Sequence, residues 1–263
     1  MGAASVMRRV RVDSLVAWIR ARTDEDNLTG LDATGWPAST WVLHAMHERR
    51  DLRSGLTCDD VRRLRLMRRD QPQTPIDDGD LDALLALQEL EFEWHGRLGP
   101  EWTRLTWREQ AERFGITLGH PEFSPGGHWL PAESFPANVM GPSEGSLDVD
   151  SMDWLLRCLA EHEAQGQDTA CFALYAPLQS FEFDELLLFT GPLSAIPSLV
   201  DSKHGRWATP NNFWPEDHSW FVFTDYDSWA TKVSGPESLI QRLRSDPDLE
   251  TFDWKPAADQ PRT

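Results

Sequence analysis

The 263-residue chain carries 43 Asp and Glu against 25 Lys and Arg, a net charge of −18 with a pI near 4.7. A field of that sign repels phosphate backbones and anionic lipid, which argues against nucleic-acid and membrane partners, and no apolar run reaches the ~18 residues of a membrane span. With 40% hydrophobic residues and 13 Trp, the chain has apolar area enough to form a sizeable core without staples.

The charge is unevenly placed. The first 70 residues hold 13 basic and 10 acidic side chains, a net of +3, which leaves −21 on the remainder. Cys58, Cys158 and Cys171 are odd in number and have no CxxC spacing, so reduced thiols and a cytoplasmic setting are expected. The N-terminus has arginines but no apolar core of signal-peptide length.

From the N-terminus onward, residues 13 to 22 place Leu15, Val16, Trp18 and Ile19 on one broad face behind Asp13 or Ser14, the pattern of a short amphipathic helix. Residues 39 to 50, STWVLHAMHERR, read as a second helix, with Trp41, Leu43, Ala45 and Met46 apolar. Thr57 followed by Asp60 resembles a capping box for a helix over 58–70 whose Val61, Leu64 and Met67 face inward. Acids at 77–80 then introduce a helix running through Leu81, Leu84, Leu85 and Leu87, and 105–114 forms one more, closed by Gly115.

The texture changes at His120. Prolines and glycines interleave with Phe123, Trp129 and Phe135, as in an ordered loop lying on the protein. A helix follows over 147–164, with strands at 170–175, 185–190 and, most strongly, 219–224. Residues 225–235 read as a turn and a returning strand, Gly235-Pro236-Glu237 opens another helix, and 249–254 closes as an edge strand.

The expected fold is α+β, a mainly helical N-terminal half packed on a C-terminal mixed or antiparallel sheet with flanking helices. The expected organisation is a helical region 1–118, an ordered Pro/Gly-rich connector 119–146, an α+β domain 147–256 and a disordered tail 257–263.

Chemistry is sparsely signalled. No GxGxxG or GxxxxGK[ST] loop occurs, no nucleophile has its usual local signature, and no cofactor is nominated. The TWREQAERFGIT segment suits the first helix of a helix-turn-helix, but Pro121, Pro125 and two glycines stand where a recognition helix would run. His44, His47 and Glu48 would share a helix but lack the HExxH order, and Arg62, Arg63, Arg65, Arg68 and Arg69 read as a solvated face paired with the chain's own acids.

The richest stretch is 211–235, where Trp214, Trp220 and Trp229 alternate with Glu216, Asp217, Asp225 and Asp227 around a strand. Tryptophan is costly to leave in water and carboxylate costly to bury, so one surface is packed while its neighbour stays wet. These seven residues form the candidate binding surface, with indoles as anchors and carboxylates as a steering rim for a basic protein partner. Immunity-type inhibitors of basic toxins share this compositional style, an analogy of texture that rests on no motif. The alternative is a metal-assisted enzyme in which Asp225 and Asp227, two apart in an extended segment, hold a hard cation with His218 nearby.

Overall fold

The computed structural model describes residues 6–12, 15–23, 30–52, 55–70, 81–90, 97–130, 135–180, 186–200 and 208–255. Its strands are β1 (Arg8–Val10), β2 (Ala38–Leu43), β3 (Met46–Arg49), β4 (Trp102–Leu105), β5 (Val139–Met140), β6 (Ala170–Tyr175), β7 (Leu187–Pro192), β8 (Asn212–Pro215), β9 (Phe221–Phe223), β10 (Ala230–Gly235) and β11 (Thr251–Phe252). Its helices are α1 (Ala17–Arg20), α2 (Cys58–Asp70), α3 (Leu81–Leu90), α4 (Trp107–Phe114), α5 (Val149–His162), α6 (Pro177–Ser180) and α7 (Glu237–Arg244). The expected Asp13 or Ser14 cap and the tail 257–263 lie outside the described residues. Among the described residues, no helix is long and apolar enough to cross a membrane.

The chain forms two compact units, one of residues 1–44, 119–126 and 143–263, the other of 45–118 and 127–142. In the first, eight strands make one antiparallel sheet in the order β1-β7-β6-β8-β9-β10-β2-β11. In the second, β4-β3-β5 form a three-stranded antiparallel sheet.

This architecture overturns the mainly helical N-terminal half. The segment expected as one helix over 39–50 is two strands, β2 and β3. β2 is paired on both sides, by β10 and β11, and Trp41, Val42 and Leu43 are all buried. With both faces covered, the period-2 alternation of a strand is erased, and the surviving apolar spacing imitates a helix. The local preference of Thr40, Trp41 and Val42 for extended backbone decides the outcome. Likewise the described residues of 13–22 contain only the single turn α1, and Arg8–Val10 and Trp102–Leu105 supply strands where none was expected.

Other elements follow the sequence closely. Asp60 Oδ2 accepts from the Thr57 backbone N–H at 3.0 Å while Thr57 Oγ1 accepts from the Asp60 N–H at 3.2 Å, which satisfies two donors at the start of α2. Val61 is buried there, but Met67 is exposed rather than inward-facing. α4 begins with the same reciprocal pair between Thr106 and Glu109, and Gly115 ends it in the left-handed region at φ +64°. The pairing of β9 with β10, the Pro236 start of α7 and the edge position of β11 all agree with the sequence.

The two faces of the large sheet are packed differently. Ala173, Phe213, Val222, Val233 and Val42 share one face and join Leu155, Leu159, Leu239, Ile240 and Leu243, from α5 and α7, in the main core. Phe172, Trp214 and Phe221 point the other way; Trp214 and Phe221 meet Trp18, and Phe172 stacks on Trp214. Asn212 fixes that second layer: Leu31 N–H donates to its Oδ1 at 3.0 Å, and its Nδ2 donates to Leu31 O at 2.9 Å and Val222 O at 3.2 Å. A fully buried amide thereby treats a segment 181 residues away as a neighbouring strand.

Candidate functional site

The seven sequence-selected residues fall on β8, the 216–220 turn, and the 224–229 turn. Because β9 runs between the turns, Glu216 and Asp217 stand at one end of the strand and Asp225 and Asp227 at the other, so the four carboxylates do not converge. His218 shares the first turn and is separated by β9 from the Asp225 turn.

The indoles divide by exposure. Trp214 and Trp220 are each 0% exposed and build the support beneath the surface. Trp220 joins the main core, edge-on to Phe213, with its N–H donated to Glu163 Oε1 at 2.7 Å. Trp214 lies in the opposite layer against Phe172 and Phe221. Trp229 is half-buried and donates its indole N–H to Glu144 Oε1 at 3.2 Å.

Each acid has a local role or none. Asp225 Oδ1 accepts the Asp227 N–H and Asp217 Oδ1 accepts the Ser219 N–H, both at 3.0 Å, the side-chain mimicry that favours Asp in turns. Glu216, Asp217 and Asp227 are exposed, and no described cation pairs with them. Elsewhere acids are well partnered. Glu48 takes Arg113 in a two-pronged contact at 2.9 and 3.0 Å and Arg50 at 3.2 Å, and the Arg113 hydrogen bonds hold its carboxyl below the ordinary value. Burial pushes Asp246 upward, but the Asp248 N–H, Arg242, Cys158 and Arg157 together hold it below the usual range.

The histidine cluster is not assembled as expected. His44 follows β2 while His47 and Glu48 lie on β3, where adjacent residues project to opposite faces. His44 Nδ1 lies 2.6 Å from the Ser143 carbonyl and must donate to it, so Nε2 accepts from Thr231 Oγ1 at 3.0 Å, and Thr224 donates to Thr231 at 2.8 Å. Burial lowers its pKa to about 4, against the raising effects of the Ser143 hydrogen bond and Asp148, and keeps the ring neutral. Among the described residues, no group of three or more His, Cys, Asp or Glu is placed to hold a metal ion. The arginine run makes short local pairs, Arg62 with Asp59 at 3.2 Å and Arg63 with Asp60 at 3.6 Å; nothing is described of the Arg68 and Arg69 side chains.

Sequence reasoning missed an aromatic assembly beside the Glu216–Asp217 turn. His218, in the left-handed region at φ +58°, stacks on Trp18 with centroids 3.9 Å apart, and its carbonyl accepts the Trp36 indole N–H at 3.0 Å. Trp18 meets Trp36 edge-on at 6.1 Å, Trp36 stacks on Phe221 at 5.3 Å, and the Arg22 guanidinium lies 5.5 Å from both indole centroids. Burial lowers the His218 pKa, the nearby Arg22 charge lowers it further, and Asp217 opposes them. The contributors are nearly 200 residues apart in the chain, and the one local hint is that Trp36 and Trp214 both precede proline. Comparisons with protein families, curated proteins and solved structures find no match to this chain.

Proposed function

We propose that the protein is a non-enzymatic binding module that captures a basic protein partner, in the manner of an immunity-type inhibitor. The observation that carries this reading is the pairing pattern of its acids: Glu216, Asp217 and Asp227 stand exposed without a described cation, while acids such as Glu48 and Asp246 are engaged by arginines. Unpaired carboxylates cost little in water and become favourable when a cationic surface arrives, raising the association rate and suppressing wrong partners. Trp214 and Trp220 contribute by rigidity, since they lock the strand that carries the first turn; direct aromatic contact falls to the half-buried Trp229.

The test is affinity capture from a lysate of the native host, read by quantitative mass spectrometry. Because the two turns are separated by β9, Glu216→Gln with Asp217→Asn and Asp225→Asn with Asp227→Asn are compared as two pairs and as a quadruple. The expected result is a basic protein enriched by the parent chain and lost with at least one pair and with the quadruple, at unchanged thermal stability. Enrichment that survives the quadruple refutes the reading.

A further inference from the structure

We propose that the notch between Trp18 and Trp36, held in this structure by Arg22, is a guanidinium-recognition site that receives an arginine of the basic partner in place of Arg22. This inference rests on the basic-partner reading and assigns it a contact point.

The notch already displays the chemistry it would recognise. The Arg22 guanidinium sits 5.5 Å from the centroids of both indoles, within the distance at which a cation is drawn to an aromatic face. Trp18 and Trp36 are half-buried, so each keeps part of its surface open to water. Arg22 is itself exposed, and among the described residues its side chain makes no ion pair or hydrogen bond. Among the described residues, ring contact alone holds it in place, a weak attachment at an exposed site and one that an incoming guanidinium can exchange.

The walls are fixed in advance. Trp18 is backed by Trp214 and Phe221, both at 5.8 Å, and is covered by His218. Trp36 is set by its hydrogen bond to His218 O and its stack on Phe221. Little ordering entropy remains to be lost on binding, which favours a specific site over an adventitious one.

Charge selects the occupant. Glu216 and Asp217 immediately precede His218, are exposed and lack a described cation, so a carboxylate rim stands next to the notch. A flat guanidinium stacks on indoles and bonds carboxylates two-pronged, whereas the compact, strongly hydrated lysine ammonium does neither as well. The fit is therefore to an arginine-bearing basic segment.

The experiment titrates the intact chain with acetyl-Gly-Arg-Gly-amide and its lysine counterpart, following the Trp18 and Trp36 indole N–H resonances. In the parent chain Arg22 competes from an effective concentration on the millimolar scale. Arg22→Ala should bind the arginine peptide roughly tenfold tighter than the parent and prefer it to the lysine peptide several-fold. Adding Trp36→Ala should remove the binding. Arg22→Gln, which keeps most of the side-chain stem, serves if the alanine protein does not fold. Absence of indole shifts in a folded Arg22 variant, or equal binding of both peptides, overturns the proposal. If peptide binding fails while lysate capture still depends on the carboxylates, the notch falls and the basic-partner reading stands. Peptide binding without carboxylate-dependent capture leaves the notch as an arginine site and removes the basic-partner reading.

Discussion

Replacing His44 with glutamine should remove a defined part of the protein's acid sensitivity. The amide can still donate to the Ser143 carbonyl and accept from Thr231, but it cannot titrate. The imidazole's pKa is 6.5 when unconstrained and about 4 in the fold, with burial as the main cause. Since the unfolded chain binds this proton more readily, the stabilising effect is complete above pH 6.5 and is lost as the pH falls towards 4. At about 1.4 kcal/mol per pH unit, the full loss is roughly 3 kcal/mol, of which about 2 kcal/mol falls between pH 7 and 5. Urea unfolding at both pH values gives the measurement, provided the denaturant slope is the same for the two proteins. The parent chain should lose about 2 kcal/mol more than His44→Gln between pH 7 and 5. Equal losses would mean that the buried ring is not held neutral by the fold.

Asn212→Ala should destabilise the chain by about 2–4 kcal/mol in the same unfolding assay, because it strands the buried Leu31 N–H and C=O that the side chain now satisfies; a change under about 0.5 kcal/mol would indicate that the Leu31 segment is not anchored there. Burial pushes the Cys158 and Cys171 thiols up to about 12, while Cys58 is half-buried, so a thiol reagent at about pH 8 should label Cys58 first and reach the other two only on unfolding. Peptide mapping of the labelled native protein checks this, and rapid labelling of Cys158 would contradict the packing of α5.

The legible parts of the fold are those governed by local chemistry. Thr57 with Asp60 announces a helix start because the two side chains satisfy each other's backbone donors three residues apart. Pro236 before an amphipathic octet marks α7, and the 225–229 turn between apolar runs marks a hairpin. β2 is illegible because both its faces and both its edges are covered, so nothing in its periodicity distinguishes it from a buried helix. The same ambiguity hides the roles of Trp214 and Trp220: an indole in a strand reads alike whether it meets core or partner, and only the layers laid on each face of the sheet resolve it. The Trp18–Trp36 notch has no local signature, since Trp18 and Trp36 are set by His218 and Phe221 from the far end of the chain, beside the Asn212–Leu31 clasp.

Whether acidic turns capture a basic partner is decided by the salt dependence of that capture. With the partner in hand, log Kd is measured against log salt for the parent chain and for the quadruple Glu216→Gln, Asp217→Asn, Asp225→Asn, Asp227→Asn. The parent's affinity should fall steeply as salt rises, and the quadruple should bind more weakly with a flatter dependence. Parallel lines of equal affinity would show that these carboxylates do not steer the partner.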